Sequence, residues 1–264
     1  MKITWFNQWR AQQTLTNSRY RTQLADLPPA LEPCWRESAA HEYEGIPTDA
    51  FFFARAAEGL MQFFDAVTSS GKACALPSEA ADSVWHAWLR LDPIGLARFC
   101  ERHFGAAVPH VERSGLGSGA LLNAFAACRA LEGGMPHKLH LPSLFSLDTR
   151  LGMRGGHGYW LHGGRVVYAR TGALGMGLGR AMPHPALTTD ALYMAGLVDR
   201  RALATALGRR RHAQDNGGGG CGGCGGDAGF AVADGGGDGG SDGGCGDGGG
   251  SCGSSCGSGC GGGD

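Results

Sequence analysis

The chain has 264 residues, and its 23 basic and 24 acidic side chains exclude a protein with a large net charge. The last 48 residues hold 26 glycines, six cysteines and six aspartates but no lysine or arginine. The other 216 residues carry a formal charge of +5, which does not indicate a nucleic-acid site, and they contain no apolar run long enough for a membrane span.

The first part of the chain is polar and leads into a strongly apolar helix. Residues 1–46 predict one helix around 8–25 within an N-terminal extension that packs on the body. Thr48 or Asp49 can cap the next helix, in which apolar residues recur at helical spacing to about residue 69. Gly71 is expected to end it.

Two helices are predicted in close succession after this. Ser78 is a good N-cap, and the helix that it opens is expected to run to about Leu91 with acidic residues in its first turn. The pair 92–93, Asp-Pro, is a second start signal, because proline is favoured at the first helical position. This second helix is expected to run to Phe104 and to stop at Gly105.

The remaining elements are shorter. A helix is predicted near 118–132, and a short one follows Pro142. Two β-rich runs within 159–169 flank the pair Gly163–Gly164, which predicts a hairpin with a two-residue turn. A last helix is predicted over 187–207.

These elements predict a mainly α fold with a helical, bundle-like body and one small β hairpin. The body covers 47–208, and the polar residues 209–216 form a hinge. Residues 217–264 are rich in glycine, cysteine and aspartate, and such a segment cannot bury enough apolar surface to order itself. We therefore expect a disordered C-terminal tail.

The N-terminal residues contain no continuous apolar run, so no secretory signal is indicated and we expect a soluble cytoplasmic protein. Thiols usually stay reduced in that compartment. The four cysteines of the body are therefore expected to be buried thiols or metal ligands rather than disulfides: Cys34, Cys74, Cys100 and Cys128.

The chemical interest lies in residues 82–110. Asp82 and His86 are four residues apart, so they share one face of their helix at the edge of an apolar stripe. Cys100 lies near the centre of the apolar stripe of the next helix, and His110 follows in a loop. If these four side chains converge, they form a mixed set of ligands that suits a tetrahedral Zn²⁺ ion.

A hydrogen-bonded core network is the alternative, and spacing alone favours it. A cysteine on an apolar stripe is usually a small buried hydrophobe, Asp82 can serve the helix N-terminus, and His86 can donate to a backbone carbonyl. Residues 82–110 also contain residues to which we assign structural roles: Trp85, Phe99, Phe104 and Gly105.

Outside this stretch, His157 and His162 border the hairpin and are expected to face solvent.

Residues 77–110, PSEAADSVWHAWLRLDPIGLARFCERHFGAAVPH, resemble the signature of the glycine-rich-domain proteins, a family of bacteria and plants with no established activity. The segment 141–156 resembles the next block of the bacterial members, and the tail is similar in composition. The resemblance implies an architecture and candidate residues rather than a reaction. The positions that carry it are Asp82, Trp85, His86, Cys100, Phe104, Gly105 and His110.

The tail thiols allow several interpretations. They could bind soft metal ions without a fixed fold, or form disulfides between chains if the protein were exported. They could be modified as in peptide precursors whose cysteines and serines are cyclised, or the tail could be plain low-complexity sequence. The residues concerned are Cys221, Cys224, Cys245, Cys252, Cys256 and Cys260.

The sequence therefore favours a noncatalytic interaction or scaffold module that presents a thiol-rich tail to an unidentified protein partner. The alternative is a metal-dependent enzyme that uses the same Asp-His-Cys-His set with one coordination position open to water. No nucleophile or general base is evident beside the four residues, and no standard catalytic motif occurs in the chain. A precursor with a modified tail is the third possibility.

Overall fold

The computed structural model describes residues 2–111, 115–133, 139–201 and 203–205. Helices dominate this part of the chain, and it also contains a small antiparallel sheet, which confirms the mainly α fold. The predicted hinge and tail, with the six tail cysteines, lie outside the described residues. The domain boundaries that the sequence suggests stay predictions.

The N-terminal region forms three helices, α1 (Lys2–Asn17), α2 (Arg21–Ala25) and α3 (Leu31–Glu42). The single helix predicted across the first two of them is wrong, because the chain turns between α1 and α2. The hydroxyl of Ser18 accepts a hydrogen bond from the backbone N–H of Tyr20 at 3.0 Å, and this local bond competes with helix continuation.

Helix α4 (Ala50–Ser70) begins and ends where the sequence predicts. The Asp49 carboxylate accepts hydrogen bonds from the backbone N–H groups of Phe51 and Phe52 at 2.9 and 3.1 Å. Gly71 ends the helix with a positive φ of 59°, a conformation that favours glycine. The two predicted signals are therefore the physical ends of the longest helix.

Helices α5 (Glu79–Leu91) and α6 (Pro93–Phe104) also follow their predicted caps. The Ser78 hydroxyl accepts from the backbone N–H of Ala81 at 3.1 Å. Asp92 accepts from the backbone N–H at position 95 at 2.8 Å, and Gly105 ends α6 with a φ of 84°. Because one residue separates the two helices, they lie against each other.

Further helices follow α6, and described residues at 200–201 and 203–205 are also helical. Helix α7 spans Ala120–Leu131, and a single 3₁₀ turn leads into the short α8 (Leu147–Leu151). Helix α9 spans only Thr189–Met194, so the long helix predicted at this end is wrong in extent. Gly196, just after α9, has a positive φ of 70°, which is typical of a helix end. The apolar pattern around it nevertheless predicted that the helix continues.

The sheet has the order β1–β2–β3, with β1 (His157–His162), β2 (Arg165–Arg170) and β3 (Met182–Pro183). The predicted hairpin is confirmed, because His162 pairs with Arg165 across a two-residue turn. Both glycines of this turn have a positive φ, as the two-residue turn requires. A third, very short strand on the far edge of β2 was not predicted.

Helix α4 is the centre of the packing and contacts α1, α5 and α7, while α3 packs on α5. The indole N–H of Trp35 on α3 donates to the Ser83 hydroxyl on α5 at 2.9 Å, and both residues are fully buried. Within the residues described here, no helix combines the length and the apolar character that a bilayer span requires. The largest fully buried side chains include Trp35, Trp88, Tyr159, Phe52, Phe64, Phe125 and Phe145.

Asp148 on α8 joins the start of α5 to the start of β1. One carboxylate oxygen accepts from the Ser78 hydroxyl at 2.6 Å and from the backbone N–H of Ala80 at 3.1 Å. The other accepts from the backbone N–H groups of Glu79 and His157 at 2.9 and 2.7 Å. Burial raises the pKa of Asp148, and these four donors oppose that effect. The carboxylate thus holds a helix and a strand together from inside the core.

Candidate metal centre

Three of the four residues predicted as metal ligands come together. Asp82 and His86 lie on one face of α5, one turn apart, and His110 lies in the extended segment that follows α6. The edge-on contact between the rings of Trp85 and His110, with centroids 4.6 Å apart, places His110 against α5. We call Asp82, His86 and His110 the triad.

The triad has the spacing of a metal site. The Nε2 atoms of His86 and His110 are 3.1 Å apart. Asp82 Oδ1 lies 3.3 Å from His110 Nε2, and Asp82 Oδ2 lies 3.6 Å from His86 Nε2. Zinc at about 2.1 Å from each ligand in a tetrahedron would set neighbouring ligand atoms about 3.4 Å apart. The three side chains are 18–25% exposed, so the site is shielded and still reachable from solvent.

The carboxylate of Glu42 on α3 contacts the triad residue His86. The Nδ1 atom of His86 is hydrogen-bonded to Glu42, whose second oxygen accepts from Arg90 at 2.6 Å. Burial raises the pKa of Glu42, but the contacts with His86 and Arg90 outweigh this and lower it overall. Metal-binding histidines commonly donate their second ring N–H to such a carboxylate. The Glu42 contact therefore fixes the orientation of one ligand.

Cys100 does not join the triad. Among the described residues, the group with ligand atoms within 4.8 Å of one another is the triad alone. Cys100 is buried on α6, and burial raises the pKa of its thiol to about 11, although a hydrogen bond from the backbone of Val108 opposes the shift. A neutral thiol is a poor metal ligand. Trp85 and Phe99, to which structural roles were assigned, are buried core residues, and Phe104 packs against that core.

A pocket of about 400 Å³ adjoins the triad, and Asp82 and His110 are part of its wall. Much of the remaining lining is apolar and includes Phe63, Leu76 and Trp85. Ligand sites in proteins are typically mostly apolar pockets of this size with a few placed polar groups. The triad thus lies where a small molecule could reach it.

A second polar group adjoins the same pocket, and we call it the Glu79 cluster: Glu79, His157 and Arg170, which line the pocket, and Tyr168, which contacts His157. One oxygen of Glu79 lies 2.9 Å from His157 Nε2 and 3.0 Å from Arg170 Nη1. The other ring nitrogen of His157 is 2.8 Å from the Tyr168 hydroxyl. Burial raises the pKa of Glu79, but His157 and Arg170 outweigh it and lower this pKa to about 2. Glu79 is therefore a carboxylate at neutral pH.

The expectation that His157 faces solvent is wrong, since the residue is 1% exposed and is held between Glu79 and Tyr168. From the sequence, Glu79 is expected only to interact with the dipole of its helix. Glu79 lies three residues before Asp82 and on the same helical face, and this spacing could have identified it as a candidate site residue. Glu42 and Arg170 come from distant elements, and no local pattern marks them.

Part of the chain matches a protein family. A family model described as UCP032817-like matches residues 40–173, just over half of the chain. No curated protein and no solved structure matches. The resemblance to the glycine-rich-domain proteins is therefore wrong, because the match is to a different family and ends before the glycine-rich tail. The matched range contains the triad, Glu42 and the whole Glu79 cluster, and the chain belongs to the UCP032817-like family.

Proposed function

We propose that this protein binds one divalent metal ion, zinc by preference, at the triad, and that it is a metal-dependent enzyme acting on a ligand in the adjoining pocket. The observation that carries the proposal is the convergence of two imidazole nitrogens and a carboxylate in the wall of a pocket. Zinc is preferred because nitrogen and oxygen ligands at near-tetrahedral spacing suit it.

The number of ligands favours catalysis over a purely structural role. Structural zinc sites are usually closed by four protein ligands, whereas catalytic sites use three and leave the fourth position to water or substrate. With Cys100 outside the group, the triad provides three. A zinc-bound water at the fourth position would have a pKa of about 7 and would be able to attack a substrate, so the activity that we propose is metal-dependent hydrolysis.

Metal analysis of the full-length protein tests the site. The protein is incubated with Zn²⁺, dialysed, and analysed for bound zinc alongside His86→Ala, His110→Ala and the double variant. The control is His41→Ala, which removes an exposed histidine that is not part of the triad. Any zinc bound by the tail cysteines would be common to all variants, so the readout is the difference between them.

We expect His86→Ala and His110→Ala each to lose about one zinc per chain, and the double variant to lose no more, because the ligands act as a unit. His41→Ala keeps the stoichiometry of the wild type. Far-UV circular dichroism of the metal-free proteins checks that all of them are folded. Equal zinc content in every variant would rule out the triad as the binding site.

A second measurement tests whether a coordination position is open. Acetohydroxamate, a bidentate zinc ligand, is titrated into the cobalt-substituted protein while the visible spectrum is recorded. We expect a saturable spectral change in the wild type that is absent from His86→Ala. A cobalt protein that binds at the triad but does not respond to acetohydroxamate would have a closed site, and the noncatalytic module would then be the better interpretation.

A further inference from the structure

The pocket beside the triad carries a fixed cation of its own. Arg170, the last residue of β2, donates from Nη1 to Glu79 at 3.0 Å and to the backbone carbonyl of Gly155 at 2.7 Å. These bonds hold the guanidinium in the pocket wall, where the side chain is half exposed. In the part of the chain that the structure describes, Nε and Nη2 of Arg170 make no hydrogen bond. Two aligned donors therefore remain for a ligand.

A carboxylate is the group that this geometry recognises best. Arginine presents its N–H groups in a planar fork that matches a carboxylate, and the resulting charge-assisted bonds are stronger than those between neutral groups. The backbone N–H groups at the start of α5 cannot compete for the same anion, because Asp148 and Ser78 already accept from them. Anion recognition in this pocket thus falls to Arg170.

The charge of the pocket makes this recognition dependent on the metal. Among the described lining residues, Glu79 and Asp82 are anionic and Arg170 is cationic, which leaves one net negative charge when His110 and His157 are counted as neutral. A divalent ion at the triad reverses this to one net positive charge. An anionic ligand is therefore opposed in the metal-free pocket and favoured in the metal-bound one.

The rest of the wall specifies the body of the ligand. Phe63, Val67, Leu76 and Val108 are apolar, and the buried aromatic side chain of Trp85 is also part of the wall. These side chains suit an aromatic or aliphatic group rather than a sugar or a nucleotide.

We propose that the pocket binds a small organic carboxylate with an apolar body, whose carboxylate contacts Arg170 and whose affinity depends on the metal at the triad. This inference deepens the proposed function and rests on it. The ligand class is that of a substrate or product carrying a free carboxyl group beside the bond on which the metal acts.

Calorimetric titration with two matched probes tests the inference. Phenylacetate carries the proposed carboxylate, and phenylacetamide has the same shape without the charge. Both are titrated into zinc-loaded and zinc-stripped full-length protein, and into the zinc-loaded variants Arg170→Gln, Arg170→Lys and Arg154→Gln. Arg154 is the matched control, because its surface ion pair with Glu44 lies outside the pocket lining.

We expect zinc-loaded wild type and Arg154→Gln to prefer phenylacetate by about tenfold or more. Arg170→Gln should lose this preference with phenylacetamide binding unchanged, Arg170→Lys should retain part of it, and removing zinc should weaken phenylacetate binding selectively. Equal affinity for the two probes, binding of neither, or an unaltered preference in Arg170→Gln would overturn the inference while leaving the metal site in place. Failure of the metal site itself is read separately, from the zinc content of the triad variants.

Discussion

The Asp148 carboxylate gives the sharpest test of how the site helix is held. In Asp148→Asn one of the two oxygens becomes an NH₂ group, which donates and cannot accept. If the NH₂ replaces the oxygen bonded to Glu79 and His157, their two buried backbone N–H groups lose their acceptor. If it replaces the other oxygen, the Ser78 hydroxyl and the N–H of Ala80 lose theirs. Either orientation leaves two donors unpaired in the core.

The magnitude follows from this count. A buried donor left without a partner costs about 1–3 kcal/mol, so two of them should lower the free energy of unfolding by about 2–6 kcal/mol. Asp92→Asn is the matched control, because Asp92 caps α6 with one bond at the surface and asparagine caps helices equally well. We expect the control to change stability by less than about 0.5 kcal/mol.

Urea unfolding followed by tryptophan fluorescence measures both variants. The two midpoints are compared only if the slope of the free energy of unfolding against urea concentration is unchanged. The difference then reports stability rather than a change in the surface exposed on unfolding. An Asp148→Asn protein whose stability lies within about 0.5 kcal/mol of the wild type would refute the reasoning. The carboxylate would then not be the acceptor that the four donors need.

Two further predictions concern single contacts. Because His157 and Arg170 lower the pKa of Glu79 to about 2, its contribution to stability is present above the ordinary glutamate pKa and is lost as pH falls toward 2. Glu79→Gln should therefore lower the free energy of unfolding by about 1–3 kcal/mol at pH 7, a value reduced because Glu79 is partly exposed. A difference from the wild type that stays constant from pH 7 to pH 3 would contradict this. Ser83→Ala removes the acceptor of the buried Trp35 indole N–H and should cost about 1–3 kcal/mol in thermal or urea unfolding. A neutral Ser83→Ala would mean that Trp35 finds another acceptor.

The helices that carry the triad were predictable because their ends are encoded locally. Ser78, Asp92 and Gly105 are cap residues whose chemistry acts within a few positions, and each does so here. The separation of Asp82 and His86 by four residues likewise placed both on one face. Helical geometry alone was sufficient for these features.

Convergence at the site depended on tertiary contacts, and here the outcome was mixed. His110 reaches the triad because the segment after α6 returns along α5 and packs on Trp85. Cys100 does not, because its position at the centre of an apolar stripe directs it into the core. The preference of a lone cysteine for burial was the better guide.

The supporting residues could not be read from local sequence. Glu42 is brought to His86 by the packing of α3 on α5, and Arg170 is brought to Glu79 by the hairpin. These pairs connect residues far apart in the chain, and nothing in either neighbourhood specifies the partner. His157 was misplaced for the same reason, since its burial depends on α5 and Tyr168 rather than on its own strand.

The network around Asp148 also sets a demand on a position with no chemistry of its own. A β-carbon at Gly156 would stand 2.6 Å from the Asp148 carboxylate, too close for any side chain. Even a methyl group there would push the carboxylate off the end of α5 and loosen both walls of the cavity at once. Gly156, which has no side chain, is therefore needed to keep Glu79, His157 and Arg170 in their relative positions. A mutational survey confined to polar residues would not test it.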